Sequence, residues 1–222
     1  METLSINSFL KNYCQVHLYT YEYIKNIPDE VIVMDASEII SQKKIFKYPH
    51  HDSYAGFANL FRYKLLMEKG GYWSDLDIVC LKPIPTDEMY VFASERRPNQ
   101  TVCVNNCFIG VPENSEIMEY CYSSALNKKT EELHWGQTGP ELLTEAVIKY
   151  GLEEYIVHPD VICPVDYWNC RNFLDNSNKN IISEDTYTIH LWNEMWRRNN
   201  MDKSALYDDN CIYEELQREY NT

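Results

Sequence analysis

The sequence is poor in positive charge. It has 20 lysines and arginines against 34 aspartates and glutamates, a formal net charge of -14 at pH 7 over 222 residues. The acidic residues are spread along the chain instead of forming a tail. Because such a field repels polyanions, the composition argues against a nucleic acid or an anionic membrane as the main partner. A phosphorylated ligand would need a metal ion or a few converging cationic side chains at its binding site.

The sequence also lacks long apolar runs and closely spaced cysteine pairs. No stretch approaches the roughly 20 apolar residues of a membrane-spanning helix, and no signal peptide is visible. The eight cysteines are scattered with no Cys-x-x-Cys pair, so mostly reduced thiols are expected. Cys103 and Cys107 have a spacing found in zinc sites, but no matching Cys/His pair follows, which argues against structural zinc. The expected compartment is the cytosol, with a peripheral position at a membrane left open.

The length fits a single domain, residues 1–222, with 45% hydrophobic residues available for a core. The apolar pattern alternates between helix and strand, which predicts an α/β sheet covered by helices. Helices are predicted at residues 2–11, 53–69, 115–126 and 140–150, and in the tail from residue 210. Strands are predicted at residues 16–19, 31–34, 72–81, 90–93, 102–109 and 186–192. Gly70 and Gly71 should end the second helix, because glycine tolerates the left-handed conformation.

Asp75 and Asp77 lie two residues apart in the predicted strand 72–81. Side chains two apart in a strand point the same way, with Cα atoms about 6.6 Å apart, so these carboxylates would project together. Neighbouring carboxylates repel each other unless a cation lies between them, and burying either charge unpaired is costly. Oxygen ligands of this kind suit Mg²⁺ or Mn²⁺. The triplet alone is a weak metal motif, because its spacing often arises by chance.

Asn59 and Arg62 lie three residues apart in the preceding helix and therefore share a face. A guanidinium and an amide on one face can reach one ligand, and arginine offers bidentate contact to phosphate or carboxylate. A buried structural arginine paired with an aspartate is an equally good interpretation of Arg62 on these grounds.

The segment F-A-N-L-F-R-Y-K-L-L at residues 57–66 is followed by G-G-Y-W-S-D-L-D at residues 70–77. Together they resemble the core signature of family 32 glycosyltransferases, which include capsule and lipopolysaccharide sugar transferases. A helix with an arginine, a Gly-Gly stop and an Asp-x-Asp strand occur in the family's order and spacing. Weaker similarity at residues 105–110, 136–140 and 190–196 extends the resemblance over nearly the whole chain.

This resemblance implies a GT-A fold, a single Rossmann-like mixed sheet flanked by helices, but with the family's first strand missing. It also implies retaining transfer of a hexose from a nucleotide sugar to a glycan or lipid-linked saccharide, with a UDP-sugar favoured over GDP-mannose. Since the missing strand helps to hold the base in relatives, three explanations are open: a missed upstream start codon, a truncated chain, or a loss of full donor binding through a compromised base site.

The resemblance also assigns roles to particular residues. Asp77 would be the principal metal ligand, and Asp75 would contact the donor's ribose or sugar and assist the metal. His190 would lie beside the metal and diphosphate, as a ligand or as a hydrogen bond donor. Arg62 would hold the donor sugar or phosphate, with Asn59 beside it where relatives often have aspartate.

Further donor contacts are expected around these residues. By the resemblance, Asn106 would line the sugar pocket, and Gly139 would open a helix whose first N–H groups face an anion or sugar hydroxyls. Trp73 and Trp192 are candidates for stacking on sugar or base, with a packing role as the alternative.

Two other functions stay open at this point. The run Asp75 to Val79 also fits the signature of haloacid-dehalogenase-like phosphatases, in which the first aspartate is a nucleophile. Those enzymes carry the motif after an early apolar strand and need a later Gly-Asp pair, which this sequence lacks. A degenerate glycosyltransferase would instead bind sugars or a partner without turnover.

Overall fold

A computed structural model describes residues 1–49, 52–85, 87–176 and 181–221 of the chain. The helices are α1 Glu2–Lys11, α2 Ala55–Lys69, α3 Glu116–Leu126, α4 Pro140–Lys149, α5 Pro159–Ile162, α6 Asn193–Arg198 and α7 Ile212–Tyr220. The strands are β1 His17–Thr20, β2 Ile32–Asp35, β3 Gly71–Ser74, β4 Ile78–Cys80, β5 Val91–Arg96, β6 Val102–Val111 and β7 Thr188–His190. Short 3₁₀ segments, the longest at Tyr167–Leu174, lie in the connections.

The strands form three hydrogen-bonded groups within the described residues. β1 and β2 pair in parallel, β3 and β5 flank β6 in an antiparallel sheet, and β4 pairs antiparallel with β7. The predicted mixed α/β architecture is confirmed, but the strands are not joined in a single sheet. The break occurs because β3 and β4, which are close in sequence, take different partners.

The predicted strand at residues 72–81 is wrong in its middle. Residues 75–77 form a turn between β3 and β4, in which the N–H of Ile78 donates to the carbonyl of Asp75 over 3.1 Å. The N–H of Asp75 still donates to Cys107 of β6 over 2.8 Å, whereas the carbonyl of Asp77 accepts the N–H that follows β7 over 2.8 Å. The two aspartates therefore lie on a loop that bridges two sheets, not on one face of a strand.

The other predicted elements are observed with small shifts at their ends. The predicted strand 90–93 continues to Arg96, and the late strand 186–192 is reduced to Thr188–His190. The second helix begins at Ala55 instead of Ser53, whose hydroxyl accepts the N–H of Ala55 over 3.2 Å. Local patterns thus locate the elements, while tertiary hydrogen bonds decide where each one stops.

The ten-residue strand β6 lies between two apolar clusters. Successive side chains of a strand point to opposite faces, and here Phe108 packs into one cluster while Ile109 packs into the other. The first cluster joins α1 and α7 to β4 and β7, and the second joins α2, α3 and α4 to β5. All eight cysteines are free thiols, and only Cys14 is not fully buried. Among the described helices, none is long and apolar enough to cross a bilayer.

Gly70 ends α2, as predicted, although its backbone does not adopt the expected left-handed helical conformation. Its φ of +61° and ψ of -157° lie in a region that glycine alone adopts readily. A Cβ placed there would lie 2.3 Å from the backbone nitrogen of Glu113. Gly151 also has a positive φ, of +65°, but nothing lies within 4 Å of an added Cβ.

Gly70→Ala should therefore destabilise the protein more than Gly151→Ala. The control should lose about 1–2 kcal/mol for the positive φ alone, whereas Gly70→Ala must also displace the backbone at Glu113. The free energy of unfolding, measured by urea titration, tests this difference. Equal losses for the two variants would show that the contact with Glu113 does not constrain the end of α2.

Candidate active site

A cleft of about 1820 Å³ opens over the turn at residues 75–77. Its walls include one face of α2, the start of α6 and residues 13–19 around β1. The site residues predicted from the sequence come from segments far apart in the chain, and most of them line this cleft: Asn59, Arg62, Trp73, Asp75, Asp77, Asn106, His190 and Trp192.

Arg62 and Asp75 form an ion pair at the floor of the cleft. The Arg62 Nη2 donates to Asp75 Oδ1 over 2.6 Å, and its Nη1 donates to Asn59 Oδ1 over 2.9 Å. The guanidinium lies 4.7 Å from the ring centre of Trp73, whose Nε1 donates to the same Asp75 oxygen over 2.7 Å. The Arg62 side chain is almost fully buried, whereas the Asp75 side chain is 30% exposed and remains accessible from the cleft. The arginine–aspartate pair that the sequence left as an alternative is thus present, and its aspartate belongs to the motif itself.

Asp77 faces different partners from those of Asp75. Its Oδ2 accepts the Nε2–H of His190 over 3.2 Å and the backbone N–H of Asn193 over 2.8 Å. Asn193 is the first residue of α6 and follows Trp192, which has a left-handed φ of 58°. This sharp turn after β7 is what directs the Asn193 N–H toward the carboxylate.

Burial and neighbouring charges drive the pKa values of the two aspartates apart. Burial raises the pKa of Asp75 despite the guanidinium of Arg62, and the charge of Asp77 adds to the rise. Burial alone would also raise the pKa of Asp77, but the charge and hydrogen bond of His190 reverse the shift and lower it. Burial would lower the pKa of His190, yet Asp77 raises it well above its usual range.

Two asparagines form an amide wall beside the ion pair. Asn106 Nδ2 donates to Asn59 Oδ1 over 2.6 Å, and Asn59 Nδ2 donates to the hydroxyl of Thr138 over 3.4 Å. Gly139 packs directly against this wall, because a Cβ there would lie 2.9 Å from Asn59 Nδ2. The structure therefore brings Asn59, Asn106 and Gly139 together, and Gly139 permits the close approach of α4.

The two predicted tryptophans pack on site side chains. Trp192 is 7% exposed, its ring centre lies 3.7 Å from that of His190, and its Nε1 donates to the carbonyl of Val165 over 2.7 Å. Trp73 supports Arg62. The packing interpretation accounts for these contacts, and stacking on a ligand stays a prediction.

Two further groups in the site were not predicted from the sequence. Glu95 of β5 lines the cleft and accepts a hydrogen bond from Asn105 Nδ2, and burial raises its pKa. A glutamate shortly after the apolar residues 91–93 in β5 is the one signal that could have identified it. The N–H of Asn193 carries no side-chain signal, because its position depends on the turn at Trp192.

The donor set at the turn fits a hard divalent cation. The hydrogen bonds to Asp75 all end on Oδ1, and those to Asp77 end on Oδ2. In the described part of the chain, each carboxylate thus keeps a second oxygen with no hydrogen bond from another residue. Carboxylate oxygens suit Mg²⁺ or Mn²⁺. Asp75 and Asp77 would hold such an ion, which would also offset the repulsion between them.

Comparison with known proteins finds similarity to glycosyltransferases over most of the chain. Residues 2–98 match the glycosyltransferase sugar-binding region containing the DXD motif, and residues 113–220 match the alpha 1,4-glycosyltransferase conserved region. Human alpha-1,4-N-acetylglucosaminyltransferase is 24% identical over 172 residues, which are 72% of this chain and 48% of the human protein. The solved structure of the PaToxG glycosyltransferase aligns with a TM-score of 0.46 and 17% identity, over 67% of this chain and 63% of that chain.

Two consecutive parts of the chain, residues 2–98 and 113–220, thus match glycosyltransferase models, and the first of these models contains the DXD motif. The predicted resemblance to family 32 is confirmed. The chain spans about half the length of the human relative. This resemblance leaves no support for the haloacid-dehalogenase alternative, and Asp75, its would-be nucleophile, is bound by Arg62 and Trp73.

Replacing Asp77 should change the titration of His190. In the metal-free protein, Asp77→Asn removes the charge that raises the pKa of His190, so this pKa should fall and the imidazole should become neutral at lower pH. NMR detection of the imidazole Cε1–H against pH measures the change. Asp75→Asn, which leaves the contact between His190 and Asp77 in place, is the matched control and should produce a smaller fall. An unchanged His190 titration in Asp77→Asn would contradict the described pair.

Proposed function

We propose that the chain is a retaining glycosyltransferase that moves a hexose unit from a UDP-sugar to a glycan or lipid-linked saccharide. A divalent cation, Mn²⁺ or Mg²⁺, would be held by Asp75 and Asp77. The observation that carries this proposal is the pair of carboxylates on one turn at the floor of the cleft, each with an oxygen left for a ligand. The cleft is larger than the roughly 300–1,000 Å³ of ordinary small-molecule pockets, which suits a donor together with part of an acceptor.

The name of the human relative supports both the donor class and the stereochemistry. That protein is named for the transfer of N-acetylglucosamine into an α-1,4 linkage. UDP-N-acetylglucosamine is itself an α-linked donor, so an α-linked product corresponds to retention of configuration. A UDP-linked hexose or N-acetylhexosamine is accordingly the favoured donor here.

Stabilisation of the leaving diphosphate is the main chemical task of the site. When bound, the cation supplies Lewis-acid neutralisation of the charge that develops on the diphosphate. Arg62 keeps Asp75 in place through its hydrogen bond and adds a buried positive charge. His190 lines the cleft and donates its Nε2–H to Asp77, which holds this carboxylate in place for the cation.

The sugar would lie against the amide wall. Asn106 and Glu95 supply acceptors and donors for sugar hydroxyls, and both line the cleft. For retention, the acceptor hydroxyl attacks the anomeric carbon from the face that the leaving group departs. The proton of that hydroxyl passes to a phosphate oxygen, so the reaction requires no protein nucleophile.

Donor hydrolysis offers a direct test of the proposal. The purified chain should release nucleoside diphosphate from at least one UDP-sugar in the presence of Mn²⁺, because transferases slowly hydrolyse their donor when no acceptor is present. Asp77→Ala should lower this rate on the order of 100-fold or more, since the leaving group loses its main stabilisation. Asp29→Ala, an exposed aspartate outside the cleft, is the control and should keep the full rate.

The same assay separates the proposal from its rival. Binding of a UDP-sugar and Mn²⁺ in calorimetry, with no diphosphate released from any donor, would indicate a degenerate member that binds without turnover. Equal hydrolysis by Asp77→Ala and the unmodified chain would rule out the metal assignment.

Arg62→Lys should weaken metal binding at the site while keeping a positive charge at position 62. Lysine lacks the planar fork that joins Asp75 to Asn59, so Asp75 would be held less firmly. Loss of such an outer contact to a metal ligand should lower Mn²⁺ affinity about 10–100-fold, measurable by calorimetry. Arg96→Lys is the control, because Arg96 pairs with Asp160 and Asp166 instead. A similar affinity in both variants would argue against the positioning role of Arg62.

A further inference from the structure

Directly behind the Asp77–His190 contact lie two cysteines from different elements. Cys107 belongs to β6 and Cys163 follows α5, and both are 1% exposed. Their sulfurs are 3.6 Å apart, and Cys163 Sγ lies 3.8 Å from His190 Nδ1. All three potential ligand atoms lie within 4.8 Å of one another. The sequence could not indicate this cluster, because its members are 56 and 27 residues apart.

The spacing of these atoms matches the edges of a tetrahedral thiolate–imidazole metal site. Zn–S bonds of about 2.3 Å and Zn–N bonds of about 2.0 Å in tetrahedral geometry give S···S and S···N edges of roughly 3.8 and 3.5 Å. The observed 3.6 and 3.8 Å are close to these edges. The 3.6 Å between the two sulfurs is far longer than the roughly 2.05 Å S–S bond of a disulfide.

The orientation of His190 is a second, independent indication. Its Nε2 is hydrogen-bonded to Asp77, which leaves Nδ1 directed at the sulfur of Cys163. A histidine that binds a metal through one ring nitrogen commonly donates the other N–H to a carboxylate, which fixes both tautomer and ring angle. The contact with Asp77 thus supplies the outer partner that such a ligand requires.

The surrounding backbone holds the cluster in place. The carbonyl of Cys107 accepts the N–H of Asp75, which joins β6 to the turn at residues 75–77. On the other side, Thr188 Oγ1 donates to the carbonyl of Ile162 over 3.1 Å, and Trp192 Nε1 donates to that of Val165 over 2.7 Å. The segment that carries Cys163 is therefore held by hydrogen bonds from the first residue of β7 and from Trp192, two residues after its last.

The geometry points to a second cation site, formed by Cys107, Cys163 and His190, that binds a soft divalent ion of the Zn²⁺ class. Thiolate and imidazole ligands select Zn²⁺, whereas the oxygen ligands of Asp75 and Asp77 select Mg²⁺ or Mn²⁺, so the two sites differ in chemistry. Binding releases the two thiol protons and the Nδ1 proton of the His190 imidazolium to solvent, and the Nε2–H stays on the ring. The fourth position is open to a water molecule, since no other cysteine, histidine or carboxylate among the described residues joins the cluster. The site does not depend on the proposed transfer reaction, and its ion would fix the imidazole that contacts Asp77.

Cobalt titration of the full chain, stripped of metal, tests this site. One equivalent of Co²⁺ should produce thiolate-to-cobalt charge-transfer and tetrahedral d–d absorption bands, which Zn²⁺ should remove and Mg²⁺ should not. Cys163→Ala should lose the charge-transfer band or reduce it strongly. Cys121→Ala, a buried cysteine of α3 outside the cluster, should keep it. A charge-transfer band that is absent from the unmodified chain, or unchanged in Cys163→Ala, would overturn the inference.

A second measurement needs no variant and covers the case in which Cys163→Ala does not fold. X-ray absorption spectroscopy of the unmodified chain with one equivalent of Zn²⁺ should show two sulfur ligands near 2.3 Å together with imidazole nitrogen. A shell of oxygen ligands alone would place the zinc at the aspartates and would refute the second site. Loss of donor hydrolysis in Asp77→Ala leaves this result unchanged, so the two proposals fail independently.

Discussion

The repulsion between two neighbouring, largely buried carboxylates is the constraint on which the site depends. Taking an unpaired carboxylate out of water is costly, and a second one nearby increases the cost. The fold meets this cost by giving each aspartate its own partners. Asp75 receives the guanidinium of Arg62 and the indole N–H of Trp73, while Asp77 receives the imidazole of His190 and the first N–H of α6. Each set of partners comes from a different sheet or helix, so the turn at residues 75–77 has to connect them.

The asparagine at position 59 affects this arrangement. The family resemblance leads one to expect aspartate at this position, which would offer Arg62 a second carboxylate. Here the Asn59 carbonyl oxygen accepts hydrogen bonds from both Arg62 and Asn106 without adding negative charge. The guanidinium then has Asp75 as its one carboxylate partner among the described contacts, which keeps the positive charge of Arg62 directed at the turn. A neutral residue at this position is also consistent with a chain that already has a net charge of -14.

Local sequence patterns could predict most of the helices and strands and several residues of the candidate site. The helix carrying Asn59 and Arg62, its end at Gly70 and the long strand β6 follow from periodicity and glycine chemistry, and the family signature located Asp75, Asp77 and His190. The prediction of a continuous strand over residues 72–81 was wrong at residues 75–77. Strand propensity does not reveal that β3 and β4 pair with different strands. The N–H of Asn193 and the cluster of Cys107, Cys163 and His190 could not be predicted, since both depend on how distant strands are brought together.

His190 contributes to the charge balance at the floor of the cleft. At the floor of the cleft, the negative charges of Asp75 and Asp77 are opposed by Arg62 and by a His190 whose pKa is raised, so the local balance is close to neutral before any ligand binds. A diphosphate would add negative charge inside an acidic protein whose overall field repels it. Under the proposed function, an additional cation at the turn would make the site attractive to such a ligand, and the free oxygens of the two aspartates would hold it. A soft ion bound by Cys107, Cys163 and Nδ1 of His190 would add no net positive charge, because its two thiolate ligands neutralise it and the imidazole gives up its Nδ1 proton. Its effect would be to fix the ring whose Nε2–H contacts Asp77.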